Sequence, residues 1–79
     1  MSMRLDERNV ADRIKMLMRD RRLTAAEFAK RSGMAEQSLK NILNGANNPQ
    51  FRTVVKIANA FNTSLDWLCK EVKDTEELE

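Results

Sequence analysis

The sequence predicts an all-α fold in which about five helices form one compact domain. Apolar residues recur at helical spacing in successive segments, and no segment has the strict apolar and polar alternation that is typical of a strand. The chain has 79 residues, a length that suits one domain with a modest core. Aromatic residues make up only 5% of the chain, so the predicted core consists mainly of Leu, Ile, Val, Ala and Met side chains.

The first predicted helix begins at Val10. Its apolar face continues at Ile14, Leu17 and Met18, which follow one another at helical spacing. Residues 1–9 before this helix are predicted to form a flexible arm, which lacks the apolar stretch of a signal peptide. No run in the chain approaches the roughly 18 apolar residues that a membrane span requires, so no membrane partner is expected.

The second predicted helix begins after Thr24. The side chain of Thr24 can accept a hydrogen bond from the backbone of Glu27, and the carboxylate of Glu27 can accept one from the backbone of Thr24, which together make a capping box. Phe28 and Ala29 begin the apolar face of this helix. Gly33 is predicted to end it and to reverse the chain, because glycine enters the left-handed region without steric cost.

The third predicted helix spans residues 35–43. Its packed side is predicted to hold Leu39 and Ile42, with Ser38 beside them. The opposite side is polar at helical spacing and contains Glu36, Gln37, Lys40, Asn41 and Asn44. By periodicity alone, such a face most often only meets solvent. A polar helix that directly follows a capped helix and a glycine turn instead indicates a helix-turn-helix, in which the polar face reads DNA.

The fourth and fifth predicted helices complete the domain. Pro49 restricts the backbone ahead of the fourth helix, whose apolar positions run from Val54 to Phe61. Asn62 is predicted to end it, because asparagine also adopts the left-handed conformation. The apolar positions of the fifth predicted helix are Leu65, Leu68 and Val72.

Charge is distributed unevenly along the chain. Residues 1–31 contain nine Arg or Lys against five Asp or Glu, whereas residues 61–79 contain two against six. Residues 73–79 are predicted to form a disordered acidic tail, which would be a linker to another domain or a natural end. Basic residues in and after the first helix are candidates for phosphate contacts, with a solvated helix surface as the alternative: Arg13, Lys15, Arg19, Arg21 and Arg22.

Composition argues against an enzyme. The chain has no histidine, no tyrosine and one cysteine, Cys69, so it lacks both a usual general base and the ligands of a structural zinc site. Neither of the glycine-rich motifs that bind nucleotide phosphates is present. No catalysis, metal, cofactor or small-molecule substrate is therefore expected. A single cysteine allows no intrachain disulfide, which fits a cytoplasmic protein.

The order of these parts from Val10 to Cys69 is itself informative. The residues concerned are Arg13-Ile14-Lys15, Leu23-Thr24, Glu27-Phe28-Ala29, Gly33, Ser38-Leu39, Asn44-Gly45, Pro49, Val54, Ile57, Ala58, Phe61 and residues 64–68. In this order and register they resemble the lambda-repressor-like helix-turn-helix family, to which phage repressors, Cro proteins and small bacterial regulators of the XRE type belong. The resemblance implies a helix-turn-helix domain over residues 10–72 in the cytoplasm of a bacterium or of a phage-infected host.

The resemblance also implies a function. Such a domain is a sequence-specific transcriptional regulator, here expected to be a repressor, that binds a palindromic operator in double-stranded DNA as a homodimer. The third helix would lie in the major groove. The residues expected to read bases are Glu36, Gln37, Lys40 and Asn41. Gln37 leads this set because its amide can pair with both N6 and N7 of adenine.

Other roles follow from the same resemblance. The residues expected to contact phosphates are Arg13, Lys15, Thr24, Asn44, Asn47 and Asn48. Trp67 is the candidate dimer contact, because relatives often have a polar residue at this position, and a buried structural tryptophan is the alternative.

Four residues depart from the family's pattern. They are Ala25 in place of a glutamine, Ala35 in place of a Ser or Thr cap, Glu36 close to the expected phosphates, and Ala46 in place of a base. Each change lowers the DNA affinity expected from hydrogen bonding or charge. Two alternatives therefore stay open: a helix-turn-helix scaffold that binds another protein, and a regulator of the antitoxin or restriction-control type.

Overall fold

The computed structural model describes residues 9–70, and this part of the chain contains five helices. They are α1 (Val10–Arg21), α2 (Ala25–Ser32), α3 (Glu36–Leu43), α4 (Phe51–Phe61) and α5 (Leu65–Cys69). The predicted all-α class is confirmed. Val72, the acidic tail and residues 1–8 of the predicted arm lie outside the described residues. None of the helices within residues 9–70 has the length and apolar character needed to cross a membrane.

All five helices contribute to one core. Aliphatic side chains form most of it, as predicted, but the rings of Phe28 and Phe61 stack within it with centroids 4.5 Å apart. Met18 and Met34 are half-buried and pack against its edge. The buried apolar residues are Val10, Ile14, Leu17, Phe28, Ala29, Leu39, Ile42, Val54, Ile57, Ala58, Phe61 and Leu68.

The turn between α2 and α3 forms as its local sequence predicts. The backbone N–H of Glu27 donates to Thr24 Oγ1 at 3.2 Å, and the backbone N–H of Thr24 donates to Glu27 Oε1 at 2.8 Å, so the capping box is confirmed. Gly33 ends α2 in the left-handed conformation, with φ 71° and ψ 33°. Ala35 caps α3 without a side-chain hydrogen bond, as expected for alanine. The two helices pack against each other.

Two further helices end in the left-handed conformation. Asn62 follows α4 with φ 56°, as predicted. Arg22 follows α1 with φ 55°, which the sequence did not predict. Its position is stabilised by backbone hydrogen bonds from Arg22 to the carbonyl of Arg19 at 3.3 Å and from Leu23 to that of Met18 at 2.9 Å. These bonds satisfy carbonyl groups that the end of a helix otherwise leaves without partners.

Arg13 lies inside the domain, so the prediction that it contacts phosphate is wrong. Its exposed fraction is 0%. Arg13 Nε donates to the carbonyl oxygen of Lys70 at 3.0 Å, and the guanidinium carbon lies 4.8 Å from the ring centroid of Trp67. The physical reason is that Arg13 shares the packed face of α1 with Val10 and Ile14, where the end of α5 offers a backbone acceptor.

Asn9 strengthens the same junction. Its Nδ2 donates to the carbonyl oxygen of Cys69 at 2.8 Å. The sequence placed Asn9 in the flexible arm, whereas in the structure it occupies the position directly before α1, without a capping hydrogen bond from its side chain. Polar contacts from Asn9 and Arg13 therefore join the start of α1 to the end of α5.

Candidate nucleic-acid interface

The two sides of α3 separate largely as the sequence predicts. Leu39 and Ile42 are buried in the core, while Glu36, Gln37 and Lys40 are exposed and Asn41 is half-buried. One residue differs from the prediction. Ser38, which was placed beside the packed residues, is exposed, because it lies one step of about 100° around the helix from Leu39 and its short side chain does not reach the core.

The four predicted base-reading residues form two couples along α3. Lys40 Nζ lies 3.2 Å from Glu36 Oε2 in an ion pair, and Gln37 Nε2 donates to Asn41 Oδ1 at 3.1 Å. Both couples join residues four apart, which face one another on a helix. The surface of α3 therefore presents an ion pair, Glu36 and Lys40, beside two hydrogen-bonded amides, Gln37 and Asn41, which we call the linked amides.

The linked amides keep hydrogen-bonding groups for a ligand. Gln37 retains the acceptor Oε1 and one of the two hydrogens on Nε2, and Asn41 retains both hydrogens on Nδ2. The bond between them holds the Gln37 amide in one orientation. The arrangement can donate and accept hydrogen bonds side by side, as recognition of a base edge in the major groove requires.

The loop between α3 and α4 is held against the end of α3. Backbone N–H groups of Ala46 and Asn47 both donate to the carbonyl of Asn41, at 2.9 and 3.3 Å, and that of Asn44 donates to the carbonyl of Lys40 at 2.9 Å. The side chains of the three predicted phosphate contacts in this region, Asn44, Asn47 and Asn48, are exposed. The loop backbone is thus fixed while its amide side chains face solvent.

A cleft of about 680 Å³ separates the start of α3 from the start of α4. Two predicted residues, Asn47 and Asn48, line it. Three polar residues that the sequence analysis missed join them there: Gln50, Thr53 and Lys56. Their spacing of three residues was the available signal, since it places them on one side of a helix. Ser38 also lines this cleft.

Two predicted phosphate contacts lie outside this loop. Lys15 is exposed on α1 and Thr24 is exposed at the start of α2. The oxygen of Thr24 accepts the capping hydrogen bond from Glu27, and its hydroxyl proton remains available to donate. Thr24 can therefore cap α2 and donate to an anion at the same time.

Glu27 carries the negative charge at the start of α2. The backbone hydrogen bond from Thr24, followed by the side chain of Thr24, lowers the pKa of the Glu27 carboxyl below its ordinary value, and the nearby charge of Arg31 acts in the same direction. The side chain is exposed. It is therefore ionised at neutral pH and lies beside a hydroxyl that is a candidate phosphate donor.

Two of the remaining basic candidates near α1, Arg19 and Arg21, have partners within the domain. Arg19 Nε lies 3.3 Å from Asp20 Oδ1. Arg21 Nη2 donates to the carbonyl of Phe61 at 3.3 Å, and its guanidinium lies 5.4 Å from the centroid of the Phe61 ring. Within residues 9–70, no group of three or more His, Cys, Asp or Glu residues is placed to hold a metal ion.

Comparisons with known proteins agree with this geometry. The family model described as Helix-turn-helix matches residues 14–68. Among solved structures, the chain is similar to a transcriptional regulator from Listeria innocua, with a TM-score of 0.67 and 17% sequence identity over 99% of this chain and 71% of that chain. At this identity the likeness establishes the fold. A comparison with curated proteins found no match.

Proposed function

Because the chain belongs to the helix-turn-helix family, of the lambda-repressor-like type that includes Cro and XRE regulators, we propose that it is a sequence-specific DNA-binding transcriptional regulator. The observation that carries this proposal is the solvent face of α3, where a linked amide pair lies beside an ion pair. That face follows the capped α2 and the Gly33 turn directly. In this arrangement α3 enters the major groove and the domain beneath it holds it in place.

Gln37 is proposed as the principal base reader, with Asn41 as its positioning partner. The free Oε1 of Gln37 accepts from N6 of adenine, and the remaining hydrogen on Nε2 donates to N7. Asn41 holds the amide in this orientation through the 3.1 Å hydrogen bond. Because the amide is oriented before DNA arrives, less side-chain freedom is lost on binding.

Glu36 and Lys40 are proposed to set selectivity together. Their exposed ion pair is worth only about 0.3–0.5 kcal/mol, so a base or phosphate that Lys40 prefers can separate them at small cost. Until then Glu36 cancels the charge of Lys40 and repels phosphates. The reading helix therefore depends on hydrogen bonds more than on net charge, which disfavours binding to unrelated DNA.

The DNA backbone is proposed to lie along the cleft between α3 and α4. Lys56 supplies a positive charge there, and Asn47 and Asn48 supply amide donors. Lys15, Thr24 and Asn44 are proposed contacts at the neighbouring edges of the interface. Such contacts position the domain on DNA without reading its sequence.

More specifically, the proposed regulator is a repressor that binds a palindromic operator as a homodimer. One reading helix covers too few base pairs to specify a site, and a two-fold dimer places two such helices roughly 34 Å apart in successive major grooves. Occupying an operator would then block transcription. Trp67 is half-buried and packs against Arg13, and the exposed part of its side chain is the proposed dimer contact.

Selection of bound duplexes from a random library, at two salt concentrations, tests this function. The expected result is a palindromic consensus whose half-sites lie about one turn apart, and which the Gln37→Ala variant no longer enriches. Asn59→Ala is a matched control, because Asn59 is an exposed amide on α4 that lies outside α3 and the cleft. A folded protein that enriches no sequence would contradict the proposal and favour the protein-interaction scaffold. An antitoxin or restriction-control regulator would enrich a consensus and also bind a partner protein.

A further inference from the structure

An exposed aromatic ring, that of Phe51, lies beside an apolar groove between α4 and α5. The exposed fraction of Phe51 is 73%, and the groove has a volume of about 300 Å³. We call it the Phe51 groove, and its lining residues are Pro49, Phe51, Val54, Leu65 and Cys69. Apolar surface in water loses the free energy that its burial would provide. The groove therefore favours an apolar occupant.

The Phe51 groove adjoins the cleft between α3 and α4. Pro49 lines both of them, so a segment of chain that leaves the groove at Pro49 enters the cleft. The cleft is polar along α4 and includes the positive charge of Lys56. A segment that suits both would be apolar where it meets the groove and acidic where it meets the cleft.

Residues 71–79, which we call the acidic segment, have this order of chemistry. The segment contains five Asp or Glu against one Lys, whereas residues 9–70 contain eleven Arg or Lys against five Asp or Glu. Opposite net charges attract the segment to the domain. Within the segment the apolar Val72 comes first, and four acidic residues follow it: Asp74, Glu76, Glu77 and Glu79.

The acidic segment also starts at the Phe51 groove. Cys69 is the last residue of α5 and lines the groove, and Lys70 follows it with extended backbone angles. Three residues reach at most about 10 Å and nine residues about 30 Å, so Val72 can enter the groove and the acidic residues can pass Pro49. A tether this short gives an effective concentration on the order of millimolar. Even a weak contact is then occupied for much of the time.

We propose that the acidic segment binds back to its own domain, with Val72 in the Phe51 groove and the following acidic residues in the cleft between α3 and α4. The consequence for DNA rests on the proposed function, in which the DNA backbone lies along that cleft. The acidic side chains then compete with phosphates for Lys56. The bound segment weakens every duplex by the same factor, so unrelated DNA is released while an operator, which adds base contacts, stays bound.

The reaction of Cys69 with iodoacetamide, in the absence of DNA, tests the groove contact. Cys69 is the one cysteine of the chain, and the reagent is uncharged, so the rate reports access to the groove and not attraction to charge. The rate is proportional to the fraction of molecules with an open groove, and Val72→Ser should raise it at least about threefold. Thr75→Ser is the matched control, because it lies in the same segment and also leaves every charge in place.

A double-variant cycle separates binding of the acidic segment from a local effect on Cys69. Phe51→Ser removes the ring from the groove, and this change alone also exposes the thiol. If Val72 occupies the groove, Val72→Ser should raise the rate in the parent chain but add little in the Phe51→Ser background. Circular dichroism should give the same helix content for all variants, and equal effects of Val72→Ser in both backgrounds would overturn the proposal.

DNA binding by the same variants tests the competition with phosphates. Val72→Ser should raise affinity for operator and unrelated duplexes by the same factor, which is at most the factor seen in the labelling rate. An acidic segment that repelled DNA without entering the groove would leave both affinities unchanged, because Val72→Ser keeps every acidic residue. By reciprocity, unrelated duplex DNA should raise the labelling rate of the parent chain.

Other outcomes would decide against the proposal. A Val72→Ser variant that reacts like the parent chain would exclude Val72 from the groove. Protection of Cys69 that increases from micromolar to near-millimolar protein would assign the groove to a second copy. Increased labelling with unchanged DNA affinity would exclude competition in the cleft. Because labelling needs no DNA, and discrimination by Gln37→Ala needs no acidic segment, failure of this proposal is distinguishable from failure of the proposed function.

Discussion

The α1–α5 junction and the solvent face of α3 use polar side chains in opposite ways. At the junction, Arg13 is fully buried and its guanidinium donates to the end of another helix. On α3, the polar side chains are bonded to each other across one turn and remain open to solvent. The difference separates stability from recognition: polar groups with partners in other helices hold the fold together, whereas locally paired groups can exchange their partners for those of a ligand.

The largest expected effect is at the junction. Arg13→Ala removes a buried, charged hydrogen-bond donor and leaves a cavity against Trp67, so the free energy of unfolding should fall by about 2–4 kcal/mol. Urea denaturation measures this change. The matched control is Lys15→Ala, which should change stability by less than about 0.5 kcal/mol because Lys15 is an exposed cation on the same helix. Equal effects from both variants would contradict the structural role assigned to Arg13.

On α3 we expect the reverse outcome: a variant that weakens DNA recognition and leaves stability unchanged. Gln37→Ala should leave the unfolding free energy nearly unchanged, yet it should reduce discrimination between operator and unrelated DNA by about 1–3 kcal/mol. Competition binding with the two duplexes measures this loss. Asn41→Ala should cause a smaller loss in the same direction, since Asn41 acts by positioning Gln37. An Asn41→Ala variant with full discrimination would remove the positioning role.

Glu36→Gln should produce a smaller effect on DNA binding, and here the affinity should rise instead of fall. It frees the charge of Lys40 and removes a negative charge from the reading face, so affinity for unrelated DNA should rise by about two- to fivefold and the salt dependence should steepen by up to about one phosphate contact. Titrations at several salt concentrations give both quantities. Unchanged affinity at low salt would indicate that this end of α3 does not approach phosphates.

The smallest effect concerns the cap of α2. Because the pKa of Glu27 is lowered in the folded protein, its contribution to stability is present above the ordinary pKa of glutamate and is lost as pH falls through the lowered value. Unfolding midpoints of the parent chain and Glu27→Gln should therefore differ at neutral pH and converge in acid. If the unfolding midpoints of the two proteins differ by the same amount at every pH, the charge of the Glu27 carboxylate does not contribute to stability.

Local sequence predicted the parts of this fold that depend on neighbouring residues. The capping box at Thr24, the reversal at Gly33 and the left-handed Asn62 all follow from short-range steric and hydrogen-bonding rules. Periodicity also separated Leu39 and Ile42 from the polar residues of α3. Helical spacing from Val10 and Ile14 was the available signal for the burial of Arg13, but its acceptor, the carbonyl of Lys70, lies far away in the chain and follows from no local rule.

Only part of the candidate site could be predicted from the sequence, because the rest also depends on residues that are distant in the chain. The residues on the exposed face of α3 follow from helical spacing, but their two couples depend on side-chain conformations. The cleft that gathers Gln50, Thr53 and Lys56 opposite Ser38 depends on how α4 packs relative to α3. The exposure of Phe51 does not follow from composition, because an aromatic residue in an amphipathic helix ordinarily lies in the core, whereas Phe51 precedes the packed turns of α4.

The most direct test of the central account is the ratio of operator affinity to unrelated-DNA affinity for the parent chain, Gln37→Ala and Asn59→Ala, at two salt concentrations. If α3 reads bases through Gln37, this ratio should fall by roughly 5- to 150-fold in Gln37→Ala alone, by a similar factor at both salt concentrations. A ratio that is the same for all three folded proteins would contradict base reading by the solvent face of α3.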